Sequence, residues 1–227
     1  MNNQTIRHAY SEFLGTFALV FVGSGAIMTA VMDNGTLLSV AIAHGLVLGV
    51  FCSAFMRIAA HFNPAVTIGF LFTRRITPSL AVVHIVAQFA GAIVAAFALK
   101  ALYPEAPFLE THGGGQSITT EIGGLQPWAL EAAGTFFLMT VIYGTAVDKR
   151  SPSVGGFGIG LSLAAVILAI GPLTGASLNP ARTWGPAIAS GVYEALGIYT
   201  LAPIIGAVAA ALAYEHLILK RDDAQSG

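Results

Sequence analysis

A chain of 227 residues with 56% hydrophobic and only 9% charged side chains cannot cover itself with a water-soluble surface, because an average soluble domain carries about a quarter charged residues. A formal net charge of −1, with no basic stripe outside the loops, gives no footing for nucleic acid. The single cysteine, Cys52, excludes an internal disulfide framework.

After a short polar head, residues 14–32 form the first apolar stretch of bilayer-spanning length. It runs too long for the apolar region of a signal peptide and reads as a span. Further stretches at 37–56, 77–99, 128–147, 154–173 and 192–213 bring the predicted spans to six. "HFNPAV" at 61–66 lies between the second and third, and "SLNPAR" at 177–182 between the fifth and sixth. The apolar runs after Pro64 and Pro180 are about eight to ten residues long, too short to cross a membrane. Asparagine is a leading helix N-cap and proline suits the first helical turn. Asn63-Pro64-Ala65 and Asn179-Pro180-Ala181 therefore predict the starts of two half-helices. The long loop 101–127, with Glu105, Glu110, His112, Glu121 and three glycines at 113–115, reads as a linker, and "RDDAQSG" at the end as a polar tail.

Basic residues order the spans. Arg7, Arg57, Arg74, Arg75, Lys149, Arg150, Lys220 and Arg221 all fall on one side, leaving Lys100 and Arg182 as exceptions. The positive-inside rule then places both termini in the cytoplasm.

The chain also repeats itself. "EFLGTF" at 12–17 returns as "EAAGTF" at 131–136 (offset 119), Asn-Pro-Ala returns at offset 116, and "QFAGA" at 88–92 returns as "PIIGA" at 203–207 (offset 115). Three spans per half is an odd number, so the halves, about 10–101 and 128–217, are inverted within one domain, 1–227. Two half-helices entering from opposite faces then meet tip to tip near the midplane, aiming two positive dipole ends at one place. There Asn63 and Asn179 offer amide donors, while the irregular backbone of Ala59, Ala60 and His61 and of Gly175 and Ser177 offers carbonyl acceptors. Such a place admits a small neutral solute and repels cations, hydronium included.

The paired motifs, the "GPLTGASLNPARTWGPA" segment and the duplicated "GTF" resemble the aquaporin, or major intrinsic protein, family over about 10–217. The resemblance implies an all-α membrane protein of six transmembrane helices plus two re-entrant half-helices in an inverted repeat. It implies a homotetramer in the lipid bilayer, one pore per subunit, with no cofactor, no metal and no enzymatic activity. The function implied is passive passage of water that excludes protons and ions. Carried over residue by residue, the family's selectivity filter falls on His44, Ile167, Ala176 and Arg182, a set similar to that of plant tonoplast intrinsic proteins. An apolar wall where water channels commonly have histidine extends the expected solutes to ammonia, urea or hydrogen peroxide. Thr183 and Trp184 follow Arg182 where the glycerol-conducting branch usually has Asp, which disfavours glycerol.

The match departs from the family at one point. His44 and Asn63 are 19 residues apart, one fewer than usual, and "MRIAAH" stands for the family's "GHISGAH". A gap in the loop leaves His44 in the filter, whereas a gap in the span puts Ala43 there. Arg57 and Ala59 stiffen and charge the inner approach. Glu12 and Glu131 admit a proton-relay reading, but the family uses these glutamates to hold the irregular loops. His84 and Gln88 share one face of the third span, with Gln88 an interhelical hydrogen-bond partner. Two other classes stay open: a haem-binding redox protein ligated by His44 and His84, and a secondary transporter, which can also carry inverted repeats. Short loops point to a prokaryotic inner membrane.

Overall fold

The computed structural model describes residues 3–152 and 154–219, so Lys220, Arg221 and the polar tail lie outside the described residues. Among the described residues the chain is helical throughout, with no strand. Among the described residues six helices are long and apolar enough to cross a membrane: α1 (Asn3–Met32), α2 (Leu37–Phe55), α4 (Pro78–Leu102), α6 (Gln126–Ile142, spanning to Val147 with the turn that follows), α7 (Phe157–Thr174) and α9 (Leu196–Tyr214, spanning to Leu219 likewise). The two half-helices are α3 (Pro64–Phe72) and α8 (Pro180–Ser190), and a short α5 (Glu105–Glu110) lies in the loop between halves. α6 widens into a π-helical turn at Tyr143–Val147, and α9 into another at Glu215–Leu219.

Two boundaries differ from the hydropathy reading, each for a local reason. α1 starts well before residue 14 because its polar head is helical and already carries the buried Ser11 and Glu12 into the core. α9 starts at Leu196 rather than 192, because Ala195 sits in the left-handed region at φ 53° and interrupts the helix there. The loop is also more than a linker. Phe108 of α5 is buried, and the Lys100 ammonium lies 5.8 Å from its ring centroid while donating to the Ala189 carbonyl at 2.8 Å. A cation thus closes the carbonyl end of α8, where the helix dipole is negative.

The halves pack as counterparts. α1 packs on α4 and α6 on α9, while α2 crosses α7 at the centre. Glycines set how closely these helices approach. A Cβ on Gly91 would lie 2.3 Å from the Phe13 carbonyl oxygen, and one on Gly206 would lie 2.0 Å from that of Ala132. At the α2–α7 crossing, a Cβ on Gly160 would lie 2.1 Å from the Gly45 oxygen, and one on Gly45 would lie 2.6 Å from the Gly160 oxygen. Backbones at van der Waals distance are what small residues permit where apolar burial gives no drive between helices. The outward faces carry exposed Leu46, Val86, Leu161 and Ile205, a surface suited to hydrocarbon.

Candidate functional site

Both half-helices start as their Asn-Pro pairs require. Asn63 Oδ1 accepts the Ala65 N–H at 2.9 Å, and Asn179 Oδ1 accepts those of Ala181 and Arg182 at 3.0 and 3.3 Å. Each side-chain amide then reaches the opposite repeat. Asn63 Nδ2 donates to the Leu178 carbonyl and Asn179 Nδ2 to the Phe62 carbonyl, both at 2.8 Å. The two helix tips are therefore crosslinked directly.

The residues preceding these asparagines are strained. Phe62 and Leu178 hold φ values of 50° and 54°, a region that costs a bulky L-residue about 1–2 kcal/mol. Two buried carboxylates hold them there. Glu12 accepts the His61 and Phe62 N–H groups at 2.8 and 2.7 Å and Gln88 Nε2 at 2.7 Å. Glu131 accepts the Ser177 and Leu178 N–H groups at 3.0 and 2.8 Å and the Thr174 hydroxyl at 2.7 Å. Three donors on each carboxylate compensate for burial that would otherwise cost several kcal/mol. Neither oxygen pair is left as an obvious proton shuttle.

A narrow lumen runs beside the crosslink, with an open volume of about 20 Å³. One water occupies roughly 10–15 Å³ on this measure, so the space holds one or two waters at a time. Asn63 and Asn179 line it, with Ala60, His61, Ala176 and Ser177 on the loop side and Leu48, Leu138, Ile159 and Leu163 on the apolar side. Each asparagine amide has two hydrogens. One is used across the interface, and the other is available to the lumen.

At one end stand His44 and Arg182, both almost fully buried. Arg182 Nη2 lies 3.1 Å from His44 Nε2, and His44 Nδ1 lies 2.9 Å from the Val40 carbonyl. Arginine has no acceptor, so Nε2 must accept, and the proton of a neutral imidazole sits on Nδ1, donating to Val40. Arg182 Nη1 is buried without a protein partner. Arg182 is thereby a fixed cation in the wall of the lumen. Gly23 of α1 makes this pairing possible, since a Cβ there would lie 2.4 Å from His44 Nε2.

The predicted site residues divide accordingly. His44, Ala176 and Arg182 come together on the lumen, while Ala43 lies in a separate groove against α1. Ile167 is buried, but the α7 residues that line the lumen are Leu163 and Ile159, one and two turns before it. Gly175 does not line the lumen; at φ 75° it ends α7, and its α-carbon faces Gln116. Ala59 lies outside it as well, with its carbonyl accepting the Ser11 hydroxyl. Arg57 is exposed and absent from the lining. Gly23 and Leu163 escaped the sequence reading; the "GSG" at 23–25 was the available signal for the first.

The other end opens into a vestibule of about 390 Å³ lined by His8, Ala59, Arg75 and His84, and His61 belongs to both spaces. Burial works against the Arg75 charge, but the Glu215 carboxylate 2.8 Å away outweighs it and raises its proton affinity above the usual arginine range. His44 and His84 thus belong to different ends and do not face a common cofactor space.

A family model described as "Major intrinsic protein" matches residues 1–214. The chain belongs to that family. A glycerol uptake facilitator protein-like 6 of Lactiplantibacillus plantarum is 42% identical over 210 residues, covering 91% of this chain and 95% of its own. Aquaporin TIP4-4 of Zea mays is 37% identical over 225 residues, covering 94% and 87%. An aquaglyceroporin from Plasmodium falciparum superposes with a TM-score of 0.85 at 24% identity, covering 96% of this chain and 99% of that one, and so shares the fold. Together with the six apolar helices, membership of the major intrinsic protein family makes this an integral membrane protein.

Proposed function

We propose that this chain is a passive channel for water, extending to ammonia, urea or hydrogen peroxide, and closed to protons and ions. The observation that carries the reading is the crossed Asn63–Leu178 and Asn179–Phe62 pair beside a narrow lumen. Two half-helix N-termini there contribute about half a positive charge each, and Arg182 adds a full one. A cation meets three repulsive centres, whereas a water oxygen finds amide and guanidinium donors. On the loop side, the Ala60, His61, Ala176 and Ser177 backbone supplies the acceptors. His44, Ile167, Ala176 and Arg182 form the constriction, with Leu163 continuing the apolar wall of α7 along the lumen.

In this reading residues 1–227 are one domain of two inverted repeats, assembled as a homotetramer in a prokaryotic inner membrane with both termini cytoplasmic. The relative named as a glycerol uptake facilitator favours glycerol as a second reading. Stopped-flow light scattering of proteoliposomes decides between them. Water shrinkage faster than in protein-free vesicles, with urea re-swelling above background and glycerol at background, is the expected result. Glycerol re-swelling as fast as urea would replace the first reading by the second.

A further inference from the structure

Where lumen meets vestibule, three histidines and a carboxylate from separate parts of the chain converge: His8 and Glu12 from α1, His61 from the loop before α3, and His84 from α4. His84 is their centre. Its Nε2 lies 3.0 Å from His8 Nδ1, and its Nδ1 lies 3.3 Å from His61 Nδ1 and 3.5 Å from Glu12 Oε1. The ligand atoms of Glu12, His61 and His84 all fall within 4.8 Å of one another.

Two of these spacings suit a metal ion. The 3.3 and 3.5 Å separations are long for hydrogen bonds. Zinc binds imidazole nitrogen at about 2.0–2.1 Å in tetrahedral geometry, which sets its ligand atoms about 3.3 Å apart. The supporting shell is present too. If His84 donates its Nε2–H to His8, its Nδ1 lone pair faces Glu12 and His61, the arrangement by which a second residue fixes a ligating imidazole. Glu12 Oε1 accepts one N–H, from His61, and keeps lone-pair capacity. Coordination takes the Nδ1 lone pair of His61, with its proton on Nε2, and releases the 3.0 Å contact to Thr67.

We infer that Glu12, His61 and His84 form a site for a zinc-class divalent cation, positioned by His8, and that its occupancy closes the channel at the vestibule end. Two imidazoles and one carboxylate suit zinc, copper or nickel rather than magnesium or calcium. The vestibule gives the ion a path, and pairing with Glu215 offsets the charge of Arg75 in its wall. His61 lines the narrow lumen, so an ion bound to it, with a vestibule water as fourth ligand, stands in the path. The closing effect rests on the proposed channel function; the binding does not.

The test uses the full chain without a polyhistidine tag. Cobalt titrated into the detergent-solubilised protein should develop the visible absorption of a tetrahedral site and lose it when zinc is added. His84→Gln should abolish the band, and His8→Ala should weaken cobalt binding by about 10-fold. Glu12 is left intact because it holds the loop. In proteoliposomes, zinc should lower wild-type water flux several-fold relative to EDTA, while the same ratio in His84→Gln stays near one. No cobalt band, an undiminished band in His84→Gln, or zinc binding with an unchanged flux ratio would overturn the inference. Flux in EDTA no faster than in empty vesicles would instead sink the channel reading and leave the cobalt result standing.

Discussion

Phe62 and Leu178, 116 residues apart, hold the same left-handed backbone conformation and are gripped in the same way from both sides. A buried glutamate of their own repeat takes the N–H, and the asparagine of the other repeat donates to the carbonyl. The conformation that turns each loop toward the lumen therefore depends on two side chains, one from each repeat, and the pair of loops on four.

Glu131→Gln tests this grip. An amide presents one oxygen and two N–H groups, so at least one of the three donors now on Glu131 meets a donor instead. An unsatisfied buried N–H costs about 1–3 kcal/mol. The variant should unfold at a lower temperature in detergent, followed by tryptophan fluorescence, and conduct less water per inserted protein. Wild-type values for both would show that Leu178 holds its conformation without the carboxylate.

The half-helices were legible in the sequence because an Asn-Pro start is local chemistry: the residues that satisfy the cap lie within three positions. The spans were legible for a similar reason, as hydropathy sums over one segment. What was not legible depends on which faces of distant helices meet. His8 and His84 look like unrelated polar residues until α1 packs on α4. Gly23 is one of 26 glycines, and only the position of His44 gives it a task. The choice between His44 and Ala43 could not be made by counting, because either register keeps the motif. The structure sets His44, not Ala43, against Arg182. Ile167 shows the converse: counting from Asn179 gives its place along the chain, but which α7 side chains line the lumen, Ile159 and Leu163, depends on how the helix is turned.

Gly23→Ala should disturb the constriction without touching it by name. The added methyl would lie 2.4 Å from His44 Nε2, the atom that accepts from Arg182. The imidazole must move into the lumen, and osmotic water flux should fall several-fold with expression unchanged. Adding His44→Ala removes the ring that the methyl strikes, so the double variant should conduct faster than Gly23→Ala alone, a non-additivity expected of residues in contact. Additive losses would mean that Gly23 acts elsewhere.

The α2–α7 crossing gives a prediction about stability alone. A methyl at Gly160 would lie 2.1 Å from the Gly45 oxygen, and backbone cannot yield as a side-chain tip can. Overpacking of this kind costs about 1–3 kcal/mol. Gly160→Ala should lower the temperature at which the detergent-solubilised protein aggregates. Gly197→Ala is the control, because nothing lies within 4 Å of a Cβ there, and it should match wild type.

Arg182→Val separates the charge from the rest of the barrier. Among the described residues that line the lumen, Arg182 carries the one permanent charge, and its Nη1 has no protein partner. A unit charge about 4 Å from a cation, at an effective dielectric near 20, opposes it by about 4 kcal/mol. The half-helix ends remain in the variant and keep part of the barrier. Proton leak, read from a dye inside vesicles under a pH gradient with the potential clamped, should therefore rise by at least about tenfold rather than by the full factor that 4 kcal/mol represents. Water flux should persist, since Asn63 and Asn179 still line the lumen with donors. A leak indistinguishable from wild type would assign proton exclusion to the paired helix tips alone, and a loss of water flux would make Arg182 a structural prop for His44 instead of a charge barrier.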